Sequence, residues 1–198
     1  MATANAWPMV LHLGPLGRSV TDDEFFQFCQ LNRELHIERT SEGEIVVMPP
    51  SGGESGRREL RIGAALHQWA EADGTGVPFG SSTGFVLPNG AERSPDAAWV
   101  KRERWDALTP EERERFPPLC PDFVVEIRSR TDRIPVLQEK MREYIANGAD
   151  LGWLIDPAKR RVYIYRPGAA VVRLDNPESV SGDPRLAGFS LDLRRIFT

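Results

Sequence analysis

The sequence predicts an α/β protein with a mixed central β-sheet and helices on its faces. Three observations carry that class. The elements run in the order helix, hairpin, helix, several strands, helix, then more strands. Phe123 to Ile127 is a compact apolar run with one acid in it, which suits a central strand. No linker, repeat or low-complexity stretch divides the chain, so residues 1–198 are expected to form one domain.

Residues 1–20 read as extended and irregular. Thr21 followed by Glu24 is a capping box, which starts a helix over 22–31. Leu35, Ile37 and Arg39 alternate, Ser41-Glu42-Gly43 turns, and Ile45 to Met48 completes a hairpin. Pro49-Pro50-Ser51-Gly52-Gly53 then breaks the chain. A helix follows from Glu54 to Ala72, with Gly74 past its end. Strand-like segments cover 77–80, 83–88 and 96–100, with a turn at Pro88-Asn89-Gly90. Residues 101–116 read as two short helical pieces, the second opened by Thr109-Pro110. After the strand at Phe123, a helix over 134–147 has Pro135 near its start and Gly148 beyond its end. Leu151 to Ile155 and Arg161 to Tyr165 pair as strands around Asp156-Pro157, and Val171 to Leu174 adds another. The tail from Leu191 to Phe197 is expected to form a short helix.

Composition excludes several classes of function. Hydrophobic residues make up 40% and charged residues 27%, as in ordinary folded proteins. No apolar run approaches the roughly 18–20 residues of a membrane helix. Met1 to Trp7 lack the basic start and apolar core of a signal peptide. Cys29 and Cys120 make no disulfide framework, zinc finger or iron–sulfur site. A reducing cytoplasm is the expected home, with no membrane partner. The net charge of −4 argues against a basic nucleic-acid coat protein, though not against an enzyme meeting DNA through a local patch. Lysines are only three, Lys101, Lys140 and Lys159, so one beside a candidate site stands out.

Side chains alternate along a strand. Phe123, Val125 and Ile127 share an apolar face; Asp122, Val124, Glu126 and Arg128 share the other. A carboxylate at Glu126, set among bulky apolar neighbours, must pair, neutralise or bind a metal. A salt bridge to Arg128 is the bland alternative. Ser94-Pro95-Asp96 places a second acid at the head of another apolar strand, where Asp also serves as an ordinary strand opener. Paired strands lie about 4.8 Å apart, so both carboxylates could reach one hard divalent cation. Lys140 lies beside the Leu137, Met141, Tyr144 stripe of its helix, from where a long side chain could reach the strand end or simply snorkel to solvent. Glu54 opens a helix after a Gly-rich loop; it suits the helix dipole there and is a further candidate metal ligand.

Asp96, then Glu126, then a nearby lysine resembles the PD-(D/E)XK nuclease superfamily, and the chain as a whole resembles its Uma-type (Uma-two) restriction-endonuclease branch. The matching segments include Gly53-Glu54-Ser55-Gly56, Ser94-Pro95-Asp96-Ala97-Ala98-Trp99-Val100 and Pro121-Asp122-Phe123-Val124-Val125-Glu126. They continue through Leu137-Gln138-Glu139-Lys140-Met141 and Gly152-Trp153-Leu154-Ile155-Asp156-Pro157, and so span nearly the whole chain. The resemblance implies a restriction-endonuclease-like core and metal-dependent phosphodiester hydrolysis in DNA. It matches Asp96 and Glu126 to the two metal-binding acids, with Mg²⁺ or Mn²⁺ as cofactor. Arg128 stands where the E-x-K motif has lysine, so the resemblance points to Lys140 of the following helix for that role.

Asp122 with Glu126 is a competing acid pair, but four strand residues separate them by roughly 13 Å. Arg57, Arg58, Arg61, Arg128, Arg130 and Arg133 are candidate phosphate contacts. A homodimer is expected by resemblance, with the Val162–Ile164 strand as a candidate edge. The rival functions are a catalytically silent nucleic-acid-binding or assembly module on the same fold, and a metal-independent glycosidase using the carboxylate pair.

Overall fold

The computed structural model describes residues 8–12 and 20–198. The extended reading of residues 1–20 therefore falls mostly outside the described residues. Within them, Met9–Leu11 forms strand β1. Helix α1, Asp22–Leu31, starts at Thr21 with the expected capping box in place. The hairpin is β2, His36–Arg39, and β3, Ile45–Met48. Helix α2, Gly53–Asp73, ends at Gly74, whose φ of 73° is the left-handed conformation that terminates the helix.

Strands β4 (Gly76–Gly80), β5 (Phe85–Val86), β6 (Glu92–Arg93) and β7 (Ala97–Lys101) follow. Two one-turn helices, α3 (Arg102–Asp106) and α4 (Pro110–Glu114), match the two helical pieces. Strand β8 is Phe123–Ile127 and helix α5 is Ile134–Ala146. Strands β9 (Leu151–Asp156), β10 (Arg161–Tyr165) and β11 (Val172–Asp175) come next. The chain closes with β12 (Ser179–Ser181) and β13 (Ser190–Asp192).

The central sheet has the order β11-β10-β9-β8-β7-β4. Strands β8 and β9 are parallel, and α5 supplies the crossover that a parallel pair requires. The remaining pairings are antiparallel, which makes the sheet mixed, as expected. A second sheet, β1-β3-β2-β6-β5, is antiparallel. Every residue of β8 is buried. Phe123, Val125 and Ile127 pack with Ile62, Leu66 and Ala70 of α2. Val124, on the opposite face, packs with Met141 and Tyr144 of α5. The central sheet is thus sandwiched between α2 and α5, and Glu126 is on the α5 side. Among the described residues no helix is long and apolar enough to cross a membrane.

Two expectations need correction. The tail is not a helix from Leu191: Ser190–Asp192 pairs with Ser179–Ser181 as a two-stranded ribbon. Leu191 is buried between two exposed neighbours, a strand pattern whose partner strand is not adjacent in sequence. Helical character survives as one turn, where Phe197 N–H donates to the Leu193 carbonyl at 3.0 Å. Strand β10 is not an edge either, because β9 and β11 flank it. The tryptophans Trp99 of β7 and Trp153 of β9 are core residues, in keeping with a packing role.

Gly76 is a position where the fold leaves no room for a side chain. A Cβ there would collide with the Trp99 indole and the Val100 carbonyl. Gly76→Ala is expected to cost about 1–3 kcal/mol, since the obstruction includes backbone. The urea midpoint should fall at unchanged slope.

Candidate functional site

The site follows from strand register. Ala97 opposes Val125 and Ala98 opposes Val124 in the antiparallel pair of β7 and β8. One step further along the same ladder, Asp96 opposes Glu126. Directly opposed residues share a face, so both carboxylates sit on the α5 side of the sheet. Asp96 Oδ2 accepts a hydrogen bond from the Ile127 amide at 2.6 Å. Pro95 before it and the strand after it fix its position. Asp96 keeps part of its surface in solvent, whereas Glu126 is 5% exposed.

Lys140 reaches this pair from α5. Its Nζ lies 2.8 Å from Glu126 Oε1. The Tyr144 hydroxyl, one helical turn on, donates to the same oxygen at 3.0 Å. The apolar stripe of α5 faces the sheet through Met141 and Tyr144, and that packing aims Lys140 at the end of β8. The three predicted residues Asp96, Glu126 and Lys140 therefore meet at one place.

The sequence reading missed the other half of the cluster. Glu38 of β2, 3% exposed, accepts from Lys140 Nζ at 2.8 Å and from the Ser94 amide at 2.9 Å. Arg93 of β6 bridges Glu38 at 3.2 Å and Glu143 at 2.7 Å. Asn89 Nδ2 donates to the other Glu143 oxygen at 3.0 Å. Glu38 alternates with Ile37 and Arg39 in a hairpin strand, and such strands usually turn one face to water, so the sequence alone does not mark it as buried.

Electrostatics divide these acids. Burial would raise the Glu38 pKa, but Lys140 and Arg93 outweigh it and hold it at about 2. Burial, then the charge of Glu38, raises Glu126 against the pull of Lys140. Asp96 is raised well above the usual aspartate value by burial and then by the facing Glu126. Burial would lower Lys140, yet Glu126 and Glu38 hold its pKa above the ordinary lysine value, so it remains an ammonium. Four carboxylates (Glu38, Asp96, Glu126, Glu143) share two cations, Lys140 and Arg93. The excess negative charge falls on the Asp96–Glu126 pair.

Other candidates lie elsewhere. Glu54, the further candidate ligand, is exposed on the first turn of α2, where it pairs with Arg57 at 2.7 Å and Arg58 at 3.6 Å. Asp122 sits at the far end of β8, held by Arg104 at 3.0 Å and Lys101 at 3.4 Å. Arg128, at the E-x-K lysine position, is tied to buried Asp156 at 2.8 Å and does not pair with Glu126.

The donor set suits a hard divalent cation in chemistry, since Asp96 and Glu126 offer oxygens only. Among the described residues no group of three or more His, Cys, Asp or Glu side chains is arranged to hold a metal. Two carboxylates are nonetheless the usual protein share for Mg²⁺, which keeps several waters and takes substrate phosphates as further ligands.

Two outcomes follow for stability. Lys140→Met should leave Glu38 and Glu126 buried without their shared cation and cost about 3–5 kcal/mol in chemical denaturation. Asp96 should behave in the opposite way. An acid whose pKa is higher folded than unfolded binds its proton more tightly in the native state. It favours folding at low pH and loses that contribution as pH rises through the raised value. Metal-free Asp96→Asn should therefore melt at least 2 °C above the parent at pH 8, the shift about 1 kcal/mol produces in a chain this size. The gap should narrow as the pH is lowered and the native aspartate takes up its proton.

No curated protein matches the chain. A solved structure from Anabaena variabilis, described as "a putative nuclease belonging to DUF820", aligns with a TM-score of 0.71 and 22% identity over 90% of this chain and 97% of that one. At that identity the likeness speaks for a shared fold. The model of the Uma2 family, described as "Putative restriction endonuclease", matches residues 22–194. With nearly the whole chain matched, the protein belongs to the Uma2 family.

Proposed function

We propose that the protein is a divalent-metal-dependent nuclease that hydrolyses phosphodiester bonds in DNA. The observation that carries this is the register-opposed pair Asp96 and Glu126, with the Lys140 ammonium bonded to one of them. Asp96 and Glu126 would hold Mg²⁺ or Mn²⁺, whose charge, when bound, orients the scissile phosphate and lowers the pKa of the attacking water.

The remaining steps belong to the protein's own groups. Lys140 carries three N–H donors, and Glu126 and Glu38 take two of them. The third is left for the attacking water or for a phosphate oxygen. Because Lys140 stays protonated, it acts as donor and charge stabiliser and does not accept the proton of water. Tyr144 fixes one oxygen of Glu126 and leaves the other to a cation. Glu38, itself paired with Arg93, anchors Lys140 from the opposite side and holds the amine at the strand end.

Supercoiled plasmid with Mn²⁺ tests the reading. The parent should nick it; Asp96→Ala and Glu126→Ala should lose at least about 100-fold, and EDTA should abolish cleavage. Mn²⁺ at about 100 times its Kd should add roughly 2.7 kcal/mol of stability to the parent and little to Asp96→Asn. A parent that is no faster than its variants on DNA and RNA overturns the proposal and leaves a binding module on a nuclease fold. Cleavage of a glycoside that survives EDTA would point to the carboxylate pair acting alone.

A further inference from the structure

A cavity of about 720 Å³ opens beyond the carboxyl end of β8 and is lined by none of Asp96, Glu126 and Lys140. Three walls meet there. One is the first turn of α2, where Gly52 offers no side-chain cap. The first backbone bond of that helix runs from the Gly56 amide to the Gly52 carbonyl at 3.0 Å. The amides of Gly53, Glu54 and Ser55 thus have no intrahelical acceptor. The second wall is Arg128 to Thr131, directly after β8, and the third is the turn after β9 that carries Arg160.

Charge in this cavity is one-sided. Arg58, Arg128, Arg130 and Arg160 line it, against the single acid Glu54. Glu54 is already paired with Arg57 at 2.7 Å and Arg58 at 3.6 Å. Asp156 orients Arg128 at 2.8 Å and the Asp132 carbonyl takes its Nε at 3.2 Å, which leaves N–H donors of that guanidinium free. Arg160 is exposed, and its Nε is bonded to the uncharged Asn176 at 2.6 Å. Arg130 is exposed and forms no ion pair with a described residue. Guanidinium forks and open helix amides together suit a phosphate group.

The end of β8 carries Glu126 of the acid pair and, one residue past the strand, the first residue of the cavity's second wall. Asp96 accepts the Ile127 amide, and Arg128 is the next residue. Glu126 and Arg128 are two strand positions apart, roughly 7 Å. That is the scale of the spacing between neighbouring phosphates on one nucleic-acid strand.

The geometry points to a subsite for a nucleic-acid backbone phosphate, next along the strand from the one held at Asp96 and Glu126. This rests on the nuclease reading of that acid pair. The subsite reads no bases; it fixes the register of the strand over the acids.

The test uses the full chain in EDTA with labelled 12-nucleotide strands and duplexes of several sequences, titrated over a range of NaCl. The variant is Arg130→Ala with Arg160→Ala, both exposed positions. Its affinity should fall at least about five-fold for every sequence, and the slope of log Kd against log salt should drop by roughly 1–2. Its Mn²⁺-induced thermal shift should match the parent's. Arg130→Glu alone gives the same reading if the double variant does not fold. Unchanged affinity and slope at parental melting temperature overturn the subsite. So does oligonucleotide binding no tighter than that of inorganic phosphate, which would make this a pocket for free phosphate. Weakened binding in the variant, with no Mn²⁺ shift even in the parent, upholds the subsite and overturns the catalytic reading.

Discussion

The Lys140 ammonium joins the two sheets of this protein through one buried charge, and the candidate site is built around that link. It is held at 2.8 Å by Glu38 of the antiparallel sheet and at 2.8 Å by Glu126 of the central sheet. Direct strand pairing between β2 and β6 is limited to Arg39 opposite Glu92. The position of the hairpin over the end of β8 therefore owes much to one buried charge cluster. Buried ion pairs are weak sources of net stability, because desolvation offsets the attraction, yet removing one partner is costly. Such a cluster fixes geometry more than it adds free energy. Here the geometry it fixes is that of a lysine beside two carboxylates.

The same cluster explains why Asp96 and Glu126 are under electrostatic stress. Lys140 is shared, and Glu38 also holds Arg93 and the Ser94 amide, so its carboxyl stays low. Glu126 keeps half a partner, and Asp96 has a backbone amide in place of a cation. A protein selected for stability alone would place an amide at Asp96, which could still accept the Ile127 N–H. This unpaired carboxylate charge, on a side chain that keeps part of its surface in solvent, is the feature on which the proposed cation site rests.

Much of this was legible in the sequence. The alternation in Phe123 to Ile127 gave both faces of β8, and the Pro135 and Gly148 punctuation bounded α5, so Glu126 and Lys140 were assigned to the correct surfaces. Glu38 was not legible, because its burial depends on α5 and β6 covering the outer face of a hairpin, a tertiary fact with no local pattern. The tail failed for a related reason: Leu191, Leu193, Ile196 and Phe197 fit either period, and only the β12 partner decides between them. Short strands such as β6, two residues long, carry too few side chains to show any period.

Arg128 and Lys140 together show what a spacing motif encodes. In an E-x-K strand the lysine shares the face of the glutamate two residues earlier and reaches the same cation cleft. Here that position is arginine, drawn off the site by Asp156, which also accepts the Lys159 amide at 3.2 Å in the turn after β9. The amine instead comes from α5, which covers the same face of the sheet. A helical lysine can do this because Met141 and Tyr144 pin the helix to β8 and β9, so its side chain meets Glu126 in one direction only. The chemistry proposed above needs an ammonium at hydrogen-bond distance from the glutamate, whichever element supplies it. With the lysine on the helix, the strand position two residues after Glu126 holds an arginine that lines the neighbouring cavity, where it faces the first turn of α2.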